Sequence, residues 1–408
     1  MWAFDGRREV VAAVKVTPNG PALAVQQRLR SGPWQPLAPD HVLTPYQGLA
    51  AVATARGEVV AAWIDPVRQT VHATKYASAT GWTTPVELES PTIGVVWRPL
   101  MAADAAGRVY VAWMRTEGDS TATPARLWVT TSAAASGWDP ARTLGTTGVG
   151  NFMIAGDRVG DGASLVWYDQ DASLDAVVHF AEWRPGTGWS APRTIEALAS
   201  NGIRRPNFLS YAVSRRNGAS VFAYGVGERI PGTDPQAYRQ ALHAVRCSAG
   251  ATCEPALVVN GAGNAGLISA DLNRNGAAMV AWQEYTHTLG GGGFAGLFSS
   301  RLGSGAATTP TLVTSLLNGE VPRLRAELDE RWVAAWIGIS GNRARPYAAR
   351  FDGAGPWGLP QPVTDVTVDN ASQLHLAIGA TGGAVFAWIE PAIGSASLGT
   401  LVLADLPP

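Results

Sequence analysis

The stretch RVYVAW (108–113) decides the fold of this 408-residue chain. It is an apolar run that ends in a small residue followed by an aromatic one, and related runs recur along the whole sequence. Their last residues are Val14, Trp63, Trp113, Trp167, Tyr224, Trp282, Trp336 and Trp388. A period of roughly 50 residues over the entire chain indicates a repeat fold.

One repeat divides into four short strands, which we name A to D in chain order. In the third repeat they are PLMAAD (99–104), RVYVAW (108–113), RLWVTT (126–131) and GWDPARTL (137–144). Strand B is apolar at successive positions, which suits a strand covered on both faces. Asp104 and Gly107 flank the turn between A and B, as in a type I turn. Four antiparallel strands per repeat predict the blade of a β-propeller.

We therefore predict an all-β chain folded as a single β-propeller domain of four-stranded antiparallel blades. Eight blades fit best and seven is the alternative, because the first repeat keeps only a stub of strand A and the last lacks strand D. The tryptophans at the end of B and the start of D are expected to fill the spaces between blades. The predicted repeats span approximately 1–44, 45–95, 96–147, 148–200, 201–261, 262–317, 318–367 and 368–408.

Composition narrows the function classes. Only 15% of the residues are charged and the net charge is −1, without a run of Lys or Arg, so nucleic acid is not an expected partner. No apolar stretch reaches the roughly 18 residues of a membrane span. The segment Asp271 to Gly276 imitates half of a calcium loop, but Trp282 occupies the twelfth position. We expect no cofactor and no metal site.

The two cysteines, Cys247 and Cys253, flank a short turn. We predict that they form a disulfide, which would persist in an oxidising compartment. The alternative is two buried thiols in a cytosolic protein. With the disulfide, we expect a secreted, periplasmic or outer-surface protein whose leader has been removed. The use of arginine in place of nearly all lysines fits a GC-rich bacterial genome.

The turn between strands C and D repeats a second signature, a glycine or proline before tryptophan, as in Ser78-Ala79-Thr80-Gly81-Trp82. Related turns end at Trp34, Trp138, Trp189 and Trp357. This turn resembles a degenerate Asp-box, the hairpin of sialidase-like BNR-repeat propellers, with the aspartate missing. The resemblance implies a propeller in which the box is structural and lies away from the binding face.

The candidate site lies on the face formed by the B-to-C and D-to-A connections, because the B-to-C loops vary most. We placed these loops at 115–125, 225–240, 283–293 and 338–346. Two residues after the strand-B aromatic, alternate repeats carry an acid: Asp65, Asp169, Glu284 and Glu390. They are predicted either to form a ring that binds a cation or amine, or to be solvated charges.

Near the start of strand A, three repeats carry an arginine beside a proline: Arg98, Arg205 and Arg323. If the three arginines converge, they would bind a carboxylate bidentately. The alternative is that they pair with neighbouring carboxylates and position the D-to-A loops. Tyr285 beside Glu284 is the one adjacent Tyr–Glu pair that fits a sialidase-like nucleophile.

From the sequence we expect an exported bacterial binding propeller that recognises a glycan, a peptide or an envelope protein through this face. The alternatives are a sialidase-like glycoside hydrolase or lyase that uses the same face, and a structural scaffold. Catalysis is the less favoured hypothesis, and the oligomeric state is left open.

Overall fold

The computed structural model describes residues 2–4, 8–17, 20–29, 32–33, 35–37, 41–42, 47–89, 94–118, 124–133, 137–145, 148–170, 175–198, 204–229, 238–250, 252–261, 264–285, 294–315, 321–327, 331–340, 343–364, 371–378, 383–391 and 399–406. These residues form strands, turns and bends, and they include no helix long or apolar enough to cross a membrane. Their contacts group into two compact units, Met1–Asp171 with Val178–Thr194, and Ala172–Val177 with Ile195–Pro408.

The first four antiparallel sheets have the A-B-C-D order that the repeats predict. Sheet 1 contains β1 (Trp2–Phe4), β2 (Arg8–Thr17), β3 (Gly20–Leu29), β4 (Gln35–Pro36) and β5 (His41–Val42). Sheet 2 contains β6 (Gln47–Ala53), β7 (Val59–Asp65), β8 (Thr70–Ala77), β9 (Gly81–Trp82) and β10 (Val86–Glu87). Sheet 3 contains β11 (Val96–Ala103), β12 (Val109–Thr116), β13 (Ala125–Ala133), β14 (Gly137–Trp138) and β15 (Arg142–Leu144). Sheet 4 contains β16 (Val149–Gly156), β17 (Ala163–Gln170), β18 (Ala176–Arg184) and β19 (Gly188–Trp189), and β20 (Arg193–Leu198) follows.

The remaining sheets keep the same order, with each strand paired to the next one along the chain. Sheet 5 contains β21 (Arg204–Arg216), β22 (Ala219–Arg229), β23 (Tyr238–Cys247) and β24 (Leu257–Asn260). Sheet 6 contains β25 (Ala265–Leu272), β26 (Ala278–Tyr285), β27 (Phe294–Leu302) and β28 (Thr311–Thr314). Sheet 7 contains β29 (Arg323–Ala326), β30 (Trp332–Ser340), β31 (Arg343–Phe351) and β32 (Gln361–Pro362). Sheet 8 contains three strands, β33 (Ser372–Ile378), β34 (Ala384–Pro391) and β35 (Gly399–Leu406).

Strand B of sheet 3 is buried along its whole length. All eight residues of β12 are buried, as expected for an uninterrupted apolar run that is covered on both faces. The predicted loops at 115–125, 225–240, 283–293 and 338–346 are all too wide. Strand B continues to Thr116, Arg229, Tyr285 and Ser340 in these repeats, and strand C of sheet 7 already begins at Arg343. The second strands therefore extend past their terminal aromatics, and the acids two residues further on are strand residues.

Strand A contains a β-bulge in six of the eight sheets. The pairing between strands A and B shifts at Gln47/Leu49, Trp97/Leu100, Val149/Asn151, Asn207/Tyr211, Gly266/Ser269 and Ser372/His375. Gly48, Arg98 and Leu267 lie in these bulges with φ of 56°, 60° and 49°. A positive φ suits glycine but is strained for arginine and leucine, and such bulges redirect side chains near functional sites.

The turn between strands A and B joins neighbouring sheets. In sheet 3, Gly107 N donates to Asp104 O at 3.0 Å, which confirms the predicted turn. The Asp104 carboxylate accepts from Tyr110 Oη at 2.6 Å and from Gly162 N of sheet 4 at 2.9 Å. In sheet 6, Asp271 accepts from Ser214 Oγ and from Ala326 N, so the calcium-like aspartate is a buried hydrogen-bond acceptor.

Tryptophans of the C-to-D turns pack against the preceding sheet, as predicted. The ring of Trp189 meets Tyr110 of sheet 3 edge-on at 5.9 Å. Trp357 donates its indole N–H to Ser299 Oγ of sheet 6 at 2.8 Å. Sheet 5 lacks this tryptophan. There Cys247 and Cys253 form a disulfide across the hairpin, with their Cα atoms 3.9 Å apart.

A buried ion pair links sheets 2 and 3. Arg115 donates from Nη2 to Glu89 Oε1 at 2.6 Å and from Nε to Oε2 at 3.1 Å, and both side chains are 3% exposed. Arg115 also donates to the backbone oxygens of Gln69 and Gly94. The arginine is therefore paired and hydrogen-bonded on several sides, which offsets the cost of burying its charge.

We expect the Arg115→Met substitution to lower the free energy of unfolding by about 3 to 5 kcal/mol, because Glu89 would remain buried without its partner. Urea unfolding measures the change. The matched control is Arg126→Met, which removes the exposed ion pair with Glu117 in the same sheet and should cost no more than about 1 kcal/mol. Equal losses in the two variants would contradict this role of the buried pair.

Candidate functional site

The strand-B aromatic side chains carry polar atoms that need hydrogen-bond acceptors. The acids at the second position after the aromatic supply them in sheets 6 and 8. Trp282 Nε1 donates to Glu284 Oε2 at 2.9 Å, and Trp388 Nε1 donates to Glu390 Oε1 at 2.9 Å. Both tryptophans are buried. These two predicted site residues therefore engage the protein's own indole groups.

In sheets 3 and 5 the acceptor comes from the end of the preceding repeat instead. Glu89 Oε2 accepts from Trp113 Nε1 at 3.2 Å, in addition to pairing with Arg115. Glu196 accepts from Tyr224 Oη and lies 3.1 Å from His243 Nδ1. Burial, followed by the Glu196 charge and hydrogen bond, raises the pKa of Tyr224 well above 10.0. Sheets 3, 5, 6 and 8 thus supply the same acceptor in two ways.

The other two predicted acids make local contacts. Asp65 Oδ1 accepts from Val67 N at 2.8 Å and from Arg68 N at 3.0 Å. Its burial opposes ionisation, but these backbone hydrogen bonds and the nearby charges leave the pKa of Asp65 below its usual value. Asp169 is buried, and its Oδ2 lies 3.2 Å from His179 Nε2. A cation-binding ring of the four acids stays a prediction.

Ring pairs between strands B and C are a further feature that the sequence alone does not predict, because they depend on the register between these strands. The residue paired with the strand-B aromatic is itself aromatic or histidine in five sheets: Trp63 with His72, Trp113 with Trp128, Tyr224 with His243, Trp282 with Phe298, and Trp336 with Tyr347. In four of these pairs the rings stack at centroid distances of 6.0 to 6.4 Å. In sequence, the second ring follows the first by 9 to 19 residues, so no constant spacing marks the pair.

The three predicted arginines occupy three different registers. Arg98 is exposed in the bulge of β11, opposite Trp113. Arg205 pairs with Gly227, three residues after the strand-B aromatic, and its side chain lies outside the described residues. Arg323 pairs with Ala335, one residue before Trp336. Their convergence on one carboxylate stays a prediction.

Arg323 belongs to a local cluster that the sequence did not reveal. It shares one face of β29 with Arg325, because Leu324 and Ala326 between and after them are buried on the other face. In sheet 8, His375 pairs with Ala387, one residue before Trp388, which is the register that Arg323 has in sheet 7. Arg323 Nε donates to Leu374 O, beside His375, at 2.7 Å.

Sheets 7 and 8 differ from sheets 2 to 6 in having an arginine and a histidine at this position of strand A. The equivalent strand-A residues of sheets 2 to 6 are Ala50, Leu100, Met153, Ala212 and Ser269. Burial, together with the charges of Arg323 and Arg325, lowers the pKa of His375 to about 3. The imidazole is therefore neutral at physiological pH and offers one N–H donor and one nitrogen acceptor. Arg323, Arg325 and His375 form what we call the first-strand cluster.

Tyr285 lies at the end of β26, where the predicted dyad was placed. Its ring packs on Phe294 at 4.8 Å, and burial raises the pKa of its phenol. The neighbouring Glu284 accepts from Asn260 Nδ2 at 2.7 Å and from Asn264 N at 2.5 Å, besides Trp282. The carboxylate is thus held by three donors, which suits a structural role better than proton transfer. Across the described part of the chain, no group of three His, Cys, Asp or Glu residues is placed to hold a metal ion.

Comparison with known proteins identifies likenesses in structure alone. No protein-family model and no curated protein sequence matches the chain. The solved structure of the polysaccharide lyase Uly1 has a TM-score of 0.54 at 12% identity and covers 93% of each chain. An ulvan lyase of a polysaccharide lyase family has a TM-score of 0.55 at 12% identity, over 88% of this chain and 93% of its own. The same lyase bound to -[GlcA(1-4)Rha3S]- has a TM-score of 0.54, with coverage of 89% and 94%.

These likenesses and the repeated antiparallel sheets confirm the predicted fold class, an all-β propeller. Eight sheets lie within the described residues. The number of blades and the treatment of the chain as one domain stay predictions.

We expect the Glu284→Ala substitution to lower the free energy of unfolding by about 1 to 3 kcal/mol for each buried donor that it leaves unpaired, beginning with the Trp282 indole. Chemical denaturation measures the loss. Glu284→Gln keeps one acceptor oxygen and should lose less. An unchanged stability of the alanine variant would mean that Glu284 is not needed by these donors.

The pKa of His375 also predicts how stability depends on pH. In the unfolded chain the imidazole takes up a proton near pH 6.5, whereas the folded protein resists protonation down to about pH 3. The stability that this group contributes is therefore complete above pH 6.5 and is lost as the pH falls toward 3. We expect this loss to be smaller in His375→Gln than in the unsubstituted protein, by urea unfolding at a series of pH values. Parallel pH curves for the two proteins would refute the assignment.

Proposed function

We propose that this chain is a binding propeller for an acidic glycan, which it recognises through the first-strand cluster of sheets 7 and 8. The observation that carries the proposal is the shared register of Arg323 and His375 on adjacent first strands, with Arg325 on the same face as Arg323. Sheets 2 to 6 have apolar residues or serine at this register, so the cluster is a local specialisation.

The chemistry of the cluster suits a uronate sugar. A guanidinium group presents N–H donors in a planar fork that matches a carboxylate. The hydrogen bond from Arg323 Nε to Leu374 O holds this fork in one orientation beside His375. A neutral imidazole can both donate to and accept from a sugar hydroxyl. An acidic glycan offers both kinds of group on one residue.

The compared structures support the same ligand class. Those with the TM-scores reported above are polysaccharide lyases, and one holds a glucuronate-containing glycan. The disulfide of sheet 5 supports export to an oxidising compartment, as expected for a bacterial protein that meets polysaccharides outside the cell. A peptide or envelope-protein ligand is less favoured, because it would not explain why the cationic Arg323 and Arg325 lie beside the neutral His375.

A uronate lyase is the second candidate function, and the same cluster favours it. Arginines that neutralise a uronate carboxylate would acidify the neighbouring C–H, and a base must then remove that proton. A general base is most effective when its pKa lies near the working pH. His375, with a pKa of about 3, is therefore a weak base, and binding without turnover is the better supported function.

The test is titration calorimetry with a glucuronate-containing oligosaccharide and with the same oligosaccharide after reduction of its carboxyl groups. We expect binding of the acidic form alone, and a loss of about 10-fold or more in Arg323→Gln, since a charge-assisted hydrogen bond contributes about 1.5 to 3 kcal/mol. Arg68→Gln is the control, because Arg68 is an exposed arginine of sheet 2 with one ion pair.

Two results would contradict the proposal. Equal affinity for the acidic and the reduced oligosaccharide would exclude recognition of the carboxylate. If Arg323→Gln and Arg68→Gln lose the same affinity for the acidic oligosaccharide, the loss comes from the removal of one positive charge and not from the first-strand cluster. Appearance of the ultraviolet absorbance of an unsaturated uronate during the titration would identify the lyase instead.

A further inference from the structure

Sheet 7 differs from the other sheets in what surrounds its strand-B aromatic. In sheets 2 to 6 and in sheet 8, an acid stands either two residues after the aromatic or at the end of the preceding repeat: Asp65, Glu89, Asp169, Glu196, Glu284 and Glu390. In sheet 7 the two corresponding residues are Gly338 and Thr314. Trp336 is therefore the strand-B aromatic that has no acid at either position.

The indole of Trp336 is fully buried, and within the described part of the structure its Nε1 has no hydrogen-bond partner. A buried N–H without an acceptor is costly, at about 1 to 3 kcal/mol. Trp167 of sheet 4 also lacks a partner among the described residues, but the Asp169 carboxylate stands two residues further along its strand. Sheet 7 thus combines an unpaired indole donor with the loss of the acid.

An arginine lies on the neighbouring strand opposite the position of the missing acid. Arg345 pairs with Gly338 across β30 and β31. Its Nε donates to Tyr347 Oη at 2.7 Å, and its guanidinium lies 4.9 Å from the centre of the Tyr347 ring. The Tyr347 ring in turn stacks on Trp336 at 6.1 Å, with 13° between the planes. A cation and a buried N–H donor therefore flank the same glycine.

Gly338 is the residue that makes room at this position. A Cβ atom there would lie 2.8 Å from the Tyr347 ring and 3.4 Å from Trp336 Nε1. With glycine, the Tyr347 ring stacks on the buried indole. Binding at the indole N–H requires the Tyr347 ring to turn aside together with Arg345. No side chain at 338 opposes this rotation.

We propose that sheet 7 binds a uronate carboxylate at this position, where it takes the part that Glu284 and Glu390 play in sheets 6 and 8. One carboxylate oxygen accepts from Trp336 Nε1, and the carboxylate pairs with the Arg345 guanidinium. We call this the sheet 7 carboxylate position. The inference rests on the proposed function for the class of ligand, while the residues are separate from the first-strand cluster.

The test follows the indole N–H resonances of the ¹⁵N-tryptophan-labelled protein during titration with sodium glucuronate, with glucose as the neutral control. We expect glucuronate, and not glucose, to shift one indole resonance downfield, and that resonance to be missing from Trp336→Phe. Trp282→Phe is the matched control, because the indole of Trp282 already donates to Glu284 and its removal should leave the shift intact.

Arg345→Gln provides a second variant that leaves the tryptophan in place. We expect the affinity for glucuronate, measured from the indole shift, to fall by about 10-fold or more, since one charge-assisted contact is lost. Arg68→Gln is again the control, because Arg68 is an exposed arginine of sheet 2 whose one ion pair lies at the surface. An indole shift that survives in Trp336→Phe, or that is unchanged in Arg345→Gln, would overturn the proposal, and so would the absence of any shift.

The two proposals fail in different ways. If Arg323→Gln abolishes oligosaccharide binding while Trp336→Phe and Arg345→Gln do not, the sheet 7 carboxylate position is refuted and the first-strand cluster stands. If the reverse holds, the cluster is refuted. If an acidic peptide shifts the Trp336 resonance and glucuronate does not, the position binds protein carboxylates and the inference of a sugar ligand is wrong.

Discussion

A buried strand-B aromatic is stabilised when its N–H or O–H finds a hydrogen-bond acceptor, and the carboxylates beside sheets 3, 5, 6 and 8 are placed to supply one. The ring is needed because it fills the space between neighbouring sheets, where no smaller side chain would. Its N–H or O–H is then buried with it, and an unpaired donor is destabilising. Carboxylates accept these hydrogen bonds in sheets 3, 5, 6 and 8, either from the same strand, as with Glu284, or from the preceding repeat, as with Glu89.

This constraint explains why two acids of similar position have different surroundings. Glu284 accepts from Trp282 of its own sheet, from Asn264 in the turn before that sheet and from Asn260 at the end of sheet 5, so its carboxylate is held by neutral donors. Glu89 accepts from Trp113 and also pairs with Arg115, which occupies the position that Glu284 has in sheet 6. Where the acid comes from the preceding repeat, an arginine on the strand is tolerated, because it has a buried partner.

The sequence predicted the strand order and the repeat well, because the apolar runs of strand B and the turns marked by glycine are local signals. In sheet 3 all four predicted strands are present, although β11 begins at Val96 rather than at residue 99. That difference arises from the bulge at Arg98, which lets pairing continue past Pro99. No periodicity signals such a bulge, since it depends on a positive φ at a residue that ordinarily avoids it. The site was predicted less well for the same reason: Arg323 and His375 share a register only once the shifts in strand A are counted.

The bulge divides strand A into two parts, and only the part before the bulge can gain or lose residues without changing the register of the core. The part beyond the bulge keeps a fixed register with strand B and contributes core residues such as Ala50 and Ala102. The part before it already differs between sheets, with one residue unpaired in sheet 2 and two in sheet 3. A residue gained or lost there is absorbed locally, so the core is unchanged. The six repeats with a bulge can therefore vary the beginning of strand A by insertion and deletion, and not only by substitution.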